Sequence, residues 1–300
     1  MRPSPAPSLP RFLQRRFPFQ HTTVELGRAP NAGLRLHLVD HGPRAGTAVW
    51  LQHGNPTWSF LWRKVMSELA DLRVIAPDLL GCGLSDKLPR TGDHTLARHQ
   101  VALTELFDRL ELERVVLVGQ DWGGPMVALL GAHAPERIAG LVLGNTSVLV
   151  PRRPRGKAFH RFATLPILSQ LVFRLGGYPL GALDRVQGEP GSITGDIVRA
   201  YRWPLRDWRA RAAPLGLARM VPTSADHPSL PLLRRGEAWA LGFEGPVELV
   251  WGLRDPILGA LLKRHEERFP NARVTRTQAG HFLQEQVPEA FVEAIRRVVA

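Results

Sequence analysis

An aspartate, Asp121, stands inside the run Gly119-Gln120-Asp121-Trp122-Gly123-Gly124. The apolar stretch Arg114–Val118 precedes it, and an apolar helical pattern, Pro125–Leu130, follows. A strand, a tight turn of the form small–x–nucleophile–x–small, and a helix together lift a reactive side chain clear of a sheet edge. Serine is the usual group there. A carboxylate serves acyl transfer poorly. It can, however, displace a leaving group from a saturated carbon and remain on the protein as an alkyl ester. An Asp that merely caps the next helix would have the same local sequence, so its partners elsewhere in the chain decide.

Four further loops bear on this. His53-Gly54-Asn55-Pro56-Thr57-Trp58 follows the apolar run Ala48–Gln52. In a nucleophile-elbow sheet, one oxyanion-binding N–H comes from this loop and one from the residue after the nucleophile. That assigns the backbone N–H groups of Asn55 and Trp122. Their side chains also carry uncharged N–H donors, and such a pair aimed into a dry pocket could hold a departing halide. Taken singly, they read as a turn Asn and a core Trp.

Asp255, in Trp251-Gly252-Leu253-Arg254-Asp255-Pro256, follows the run Val247–Trp251 and can orient a histidine and stabilise its cation. An Asp before Pro is also an ordinary turn. His281, in Gly280-His281-Phe282-Leu283-Gln284-Glu285, follows the last apolar run. The order nucleophile, acid, histidine is the one such a sheet uses. The glycine-rich Pro77–Lys87 reads as a structural turn, with Cys82 as buried filler.

Elements must position these groups. Short apolar runs predict strands at Thr22–Leu26, Leu34–Val39, Ala48–Gln52, Arg73–Ala76, Val115–Gly119, Ile138–Leu143, Val247–Trp251 and Ala272–Thr277. Helical spacing predicts helices at Ser59–Ala70, Leu96–Leu110, Pro125–His133, Leu258–Phe269 and Pro288–Val299. The alternation predicts an α/β fold: a mostly parallel eight-stranded sheet with helices on both faces. Residues 151–235 break the alternation and predict a helical cap inserted after the sixth strand, over the strand ends where ligands bind. Phe159, Phe162, Leu171, Phe173 and Trp203 are its candidate pocket-lining residues. Residues 1–20 predict a flexible basic arm, which leaves 21–150 and 236–300 as the core.

The chain has 300 residues, enough for one large domain. Its net charge of +12 is unevenly spread. Residues 151–235 hold 15 Lys or Arg against 5 Asp or Glu, and residues 1–20 hold four Arg and no acid. The rest of the chain is slightly acidic. No nucleic-acid-binding motif accompanies the basic segments, which argues for a solvated basic face. No apolar run reaches membrane-spanning length, and the first 20 residues lack the apolar stretch of a secretory signal. Neither nucleic acid nor membrane is therefore expected as a partner. The single cysteine precludes an intrachain disulfide and fits a cytoplasmic location. No metal-ligand spacing or dinucleotide fingerprint is present, so no cofactor is expected.

Together these loops resemble haloalkane dehalogenases, a family of the α/β-hydrolase superfamily. The likeness runs from about residue 20 to the C-terminus and is weakest in 151–235. It is carried by His53–Arg63, Pro77–Lys87, Gln120–Gly124 and Gly280–Glu285. The resemblance implies Asp121 as nucleophile, His281 as base, Asp255 as acid, and Asn55 with Trp122 as the halide-stabilising pair. The implied partners are a small apolar halogenated substrate, halide and water. Many family members carry a catalytic Glu after strand six, where this chain has Asn145. That points to the branch with an Asp–His–Asp triad and an Asn/Trp pair. The run Gly81–Lys87 also resembles β-lactone decarboxylases. Epoxide hydrolases share Asp-Trp-Gly-Gly, and they need cap tyrosines; Tyr178 and Tyr201, the two tyrosines of the chain, both fall in the cap segment and are a candidate pair, so that alternative stays open. Some proteins of this superfamily are receptors without turnover.

Overall fold

The computed structural model describes residues 4–300. Nine strands form one sheet: β1 (Ser4–Pro5), β2 (His21–Glu25), β3 (Arg35–His41), β4 (Ala48–Gln52), β5 (Arg73–Pro77), β6 (Val115–Asp121), β7 (Ile138–Thr146), β8 (Val247–Gly252) and β9 (Arg273–Thr277). Their spatial order is β1-β2-β3-β5-β4-β6-β7-β8-β9. The β1–β2, β2–β3 and β3–β5 pairs are antiparallel, and every pair from β5 through β9 is parallel. All eight expected strands are present, with ends shifted by a few residues. The ninth, β1, lacks any apolar pattern; backbone pairing of Ser4 with Thr23 and Pro5 with Thr22 makes it a strand.

The central strands are buried on both faces, so they read as continuous apolar runs. In β4, Trp50 faces one core layer with Leu117, Leu141 and Leu249. Its neighbours Val49 and Leu51 face the other, with Val118, Val142 and Val250. Helices Leu96–Arg109 and Gly123–Gly131 cover the first face, and Pro288–Val299 covers the second. Thr95 caps the first of these helices by accepting the Arg98 N–H.

Three expectations need correction. Residues 4–20 do not stand off as an arm: Leu13, Phe17 and Phe19 are buried in the second core layer, Phe17 against Trp58. Arginine and proline dominate that stretch's composition, but its sparse apolar residues are spaced to dock. The core boundary near 235 falls inside helix Leu230–Gly242, which packs on Gly123–Gly131 through Gly236 at Ala128 and Trp239 at Gly131. Arg234 and Arg235 lie on that helix's exposed side. Leu171 points outward, whereas Phe173 is buried with Ala163, Leu215 and Ala218. Between β7 and β8 the described chain holds only helices and turns. No helix among the described residues is long and apolar enough to cross a membrane.

Candidate active site

Asp121 ends β6 with φ +53°, in the left-handed region, and helix Gly123–Gly131 begins two residues later. A β-branched or bulky side chain rarely tolerates that backbone; a short polar one does so more readily. The turn closes because Gly123 lies directly against the Gln52 carbonyl, where any Cβ would collide. Gly54 is as confined: a Cβ there would strike the Asp121 carboxylate and the Trp122 backbone nitrogen. Two glycines thus bring the β4 loop onto the elbow. The Asp121 carbonyl accepts a hydrogen bond from the Thr146 hydroxyl of β7, which fixes the turn from the other side.

The Asn55 N–H donates to Asp121 Oδ1 at 2.7 Å. The Asn55 carboxamide donates from Nδ2 to the Pro214 carbonyl at 3.0 Å, while its Oδ1 is buried without a partner. Nδ2 carries two hydrogens, so this bond orients the group and leaves one N–H uncommitted by it. Trp122 is buried at the start of the helix, with its side chain in the first core layer.

His281 bridges two carboxylates. Its Nδ1 lies 2.9 Å from Asp255 Oδ2, and its Nε2 lies 3.6 Å from Asp121 Oδ2. Burial disfavours a charged ring, but Asp255 and then Asp121 outweigh it and push the imidazole up to about 10. Burial would likewise raise Asp255. The His281 ring, the Asn145 amide and the Ile257 N–H reverse this and hold its carboxyl below the usual range. Asn145 Nδ2 donates to Asp255 Oδ2 at 2.7 Å, and Asn145 Oδ1 accepts the Gly252 N–H at 2.7 Å. The residue marked in the sequence only as lacking a charge thus grips the carboxylate at the end of β8.

All five sequence-designated residues meet at this end of the sheet. Other members had no assigned role in the sequence. Gln120 Nε2 donates to the His281 carbonyl at 3.0 Å. The Val186 carbonyl accepts the His281 N–H at 2.8 Å, and Gln187 Oε1 accepts the Phe282 N–H at 2.9 Å. Gln120 sits within the elbow run, so adjacency to Asp121 was its only signal; Gln187 had none. The Pro77–Lys87 loop is a brace. Asp78 accepts the Ser59 and Leu84 N–H groups at 2.7 and 2.8 Å and pairs with His37 Nδ1 at 2.8 Å. His53 Nε2 accepts the Leu79 N–H at 2.9 Å, which clamps the Asn55 loop to that brace. Burial pushes the Cys82 thiol up to about 12, which suits a packing role rather than a nucleophile. Among the described residues, no group of three or more His, Cys, Asp or Glu is arranged to hold a metal ion.

The alpha/beta hydrolase fold family model matches residues 47–288. A haloalkane dehalogenase of Mycolicibacterium paratuberculosis (strain ATCC BAA-968 / K-10) is 32% identical over 286 residues, covering 93% of this chain and 92% of its own length. Haloalkane dehalogenase 1 of Mycobacterium tuberculosis (strain ATCC 25618 / H37Rv) is 34% identical, covering 90% and 89%. Among solved structures, the tetrameric haloalkane dehalogenase DpaA of Paraglaciecola agarilytica NO2 superposes with a TM-score of 0.78 at 25% identity, over 99% of this chain and 98% of that one. The haloalkane dehalogenase DbeA of Bradyrhizobium elkani USDA94 gives a TM-score of 0.83 at 23% identity, over 94% and 97%, a likeness of fold.

Proposed function

This chain belongs to the haloalkane dehalogenase family of the α/β-hydrolase fold, and from that premise we propose that it hydrolyses carbon–halogen bonds through an alkyl ester on Asp121. The observation that carries the mechanism is the His281 ring between the Asp121 and Asp255 carboxylates, 3.6 and 2.9 Å away. Asp121 Oδ1 is engaged by the Asn55 N–H. Oδ2 is then the oxygen that attacks the halogen-bearing carbon in line. The carbon–oxygen bond forms as the carbon–halogen bond breaks, and halide leaves toward the Asn55 carboxamide and the Trp122 indole N–H.

Water attacks the ester carbon in the second half. His281 accepts its proton, and the Asn55 and Trp122 backbone N–H groups stabilise the charge that develops on Oδ1. Electrostatics times this change of role. In the resting protein, two anions hold His281 protonated. Alkylation removes the Asp121 charge, so the ring's proton affinity falls and it releases its resting proton to water before it accepts one from the attacking water. Asp255 remains to orient the ring and stabilise its cation, and the Asn145 amide supports Asp255 as the acid. This is the Asp–His–Asp branch with an Asn/Trp halide pair.

We read residues 151–229 as the cap. Pro214 touches Asn55, Val186 touches His281, and the Ala200 carbonyl accepts the Trp58 indole N–H at 3.3 Å. Epoxide hydrolysis fits less well. The Tyr201 hydroxyl is buried on Glu285 Oε1 at 2.5 Å, and Tyr178 is exposed with its ring edge on Phe173. The Tyr201 phenol is thus committed to Glu285 rather than to Asp121.

The test is bromide and proton release from a panel of bromoalkanes, run beside a terminal epoxide and a β-lactone. Stoichiometric bromide and acid from the bromoalkanes is the expected result. Turnover of the lactone with carbon dioxide release, and no bromide from any haloalkane, would assign the site to the decarboxylase relatives instead.

A further inference from the structure

One face of the segment between β7 and β8 is apolar and uncovered. Helix Leu168–Gln170 runs on as a π-helical turn, Leu171–Leu175. Its inner side is packed, with Phe173 buried against Ala163 and Leu215. Its outer side is apolar as well. Leu168, Leu171 and Leu175 recur at three- and four-residue spacing, and all are exposed, Leu175 by 61%. Leu165 and Ile167 extend the patch, with Ile167 75% exposed. A water-facing helix carries polar residues at such positions. A contiguous apolar surface marks a contact with something else.

The surrounding charge narrows the occupant. Residues 151–183 contain no Asp or Glu and six cations: Arg152, Arg153, Arg155, Lys157, Arg161 and Arg174. The first five are exposed, with Lys157 Nζ donating to the Ile257 carbonyl at 2.6 Å. Exposed Trp208 lies beneath the Arg174 guanidinium, 4.5 Å from ring centre to Cζ, with Arg209 at 5.7 Å. Exposed Tyr178 adds a second aromatic. Of the four acids next in the chain, Asp184 accepts the Gly191 and Ile193 N–H groups, Asp196 pairs with Arg16, and Asp207 accepts the N–H groups of Arg209 and Ala210. A second copy of this chain would set like charge against like. A water-borne acidic partner would match the cations and leave the aliphatic side chains unserved. An anionic bilayer surface answers both features. Phosphate headgroups meet the arginines, acyl chains meet the leucines, and Trp and Tyr favour the boundary between them.

We propose that this basic, apolar face docks the protein on anionic lipid surfaces. The sequence predicts no membrane partner because it lacks a spanning run; a peripheral face needs none. The proposal stands apart from the dehalogenase reading and can fail without it.

The experiment uses the full-length protein with vesicles of phosphatidylcholine alone, and of phosphatidylcholine with about one-third phosphatidylglycerol. Co-sedimentation and tryptophan fluorescence read binding. The protein should bind the anionic vesicles and be released by high salt, with little binding to phosphatidylcholine alone. Ile167→Glu with Leu175→Glu should weaken binding by about tenfold or more while leaving the melting temperature and haloalkane turnover unchanged. The single change Ile167→Ser serves as a milder second variant, with a smaller loss in the same direction. Absence of vesicle binding by the wild type overturns the proposal. So does unaltered binding in both variants. Self-association of the wild type that the double variant abolishes, without vesicle binding, would assign the face to a second copy.

Discussion

The strand-end loops and the helical segment over them satisfy their polar groups by opposite means. At the strand ends, the chemically apt groups meet particular partners: Asp121 the Asn55 N–H, His281 the Asp255 carboxylate, Asp255 the Asn145 amide. In the segment, arginines bind backbone carbonyls. Arg211 reaches the carbonyls of Leu205, Arg206, Arg174 and Leu175, and Arg219 those of Ala163 and Leu165. Short helices leave unsatisfied carbonyls at each C-terminal end, and five guanidinium N–H donors on one side chain can gather several of them. The first region needs specific residue types and tolerates few changes. The second needs only reach and charge.

This difference governs what the sequence reveals. The strand-end positions of the elbow, the His53 loop, Asp255 and His281 are legible because the proposed chemistry requires those residue types there. Helix Pro288–Val299 is legible because its apolar face repeats at helical spacing, and its ends match the expectation. Asn145 was noted only for the charge it lacks, since an amide's orientation appears only when β7 and β8 lie side by side. The Arg211 staple was invisible, because every residue supplies a carbonyl and the pairing leaves no pattern. β1 was invisible for the same reason, and the docking of Leu13 and Phe17 was hidden by the surrounding charge.

Replacing the proposed nucleophile, Asp121, should have the largest effect. Asp121→Asn keeps the shape and removes the attacking charge. Haloalkane turnover should fall by on the order of 10⁴-fold or more, with the melting transition retained. Near-wild-type turnover, with deamidation excluded by mass, would place the chemistry elsewhere.

Asp255→Asn should come next, with a loss of about 10²–10⁴, mostly in hydrolysis of the ester. Asn145→Ala should cost less, because the carboxylate survives. Stability should change in step. His281 titrates at about 10 when folded against an ordinary 6.5, so its contribution is complete below pH 6.5 and is lost as pH rises toward 10. Without the Asp255 charge, the decline should still begin near pH 6.5, which the unfolded ring sets, but end at lower pH and be smaller. Equilibrium unfolding across this range, wild type beside variant, measures it; identical profiles would remove Asp255 as the partner that holds the proton.

Trp122→Phe should lower turnover by about 10–10², as expected for one charge-assisted donor. Bromide should quench the wild-type fluorescence and do so weakly in the variant. Unchanged halide affinity would take the indole out of the pair.

The smallest effect belongs to the segment. Arg211→Ala should cost about 1–2 kcal/mol of stability, with turnover of a small bromoalkane altered by less than about tenfold. The exposed Arg153→Ala should stay within about 0.5 kcal/mol. If the two melt alike, the carbonyl staples contribute nothing that a solvated arginine does not.

In the proposed reaction, Asp121 carries the alkyl group and His281 is needed only to release it. His281→Gln, mixed with 1-bromobutane, tests this in one turnover. The intact mass should rise by one butyl group, located on the peptide that carries Asp121, with one equivalent of bromide released and no further alcohol. Continued turnover without an adduct, or a butyl group on any other residue, would contradict the account.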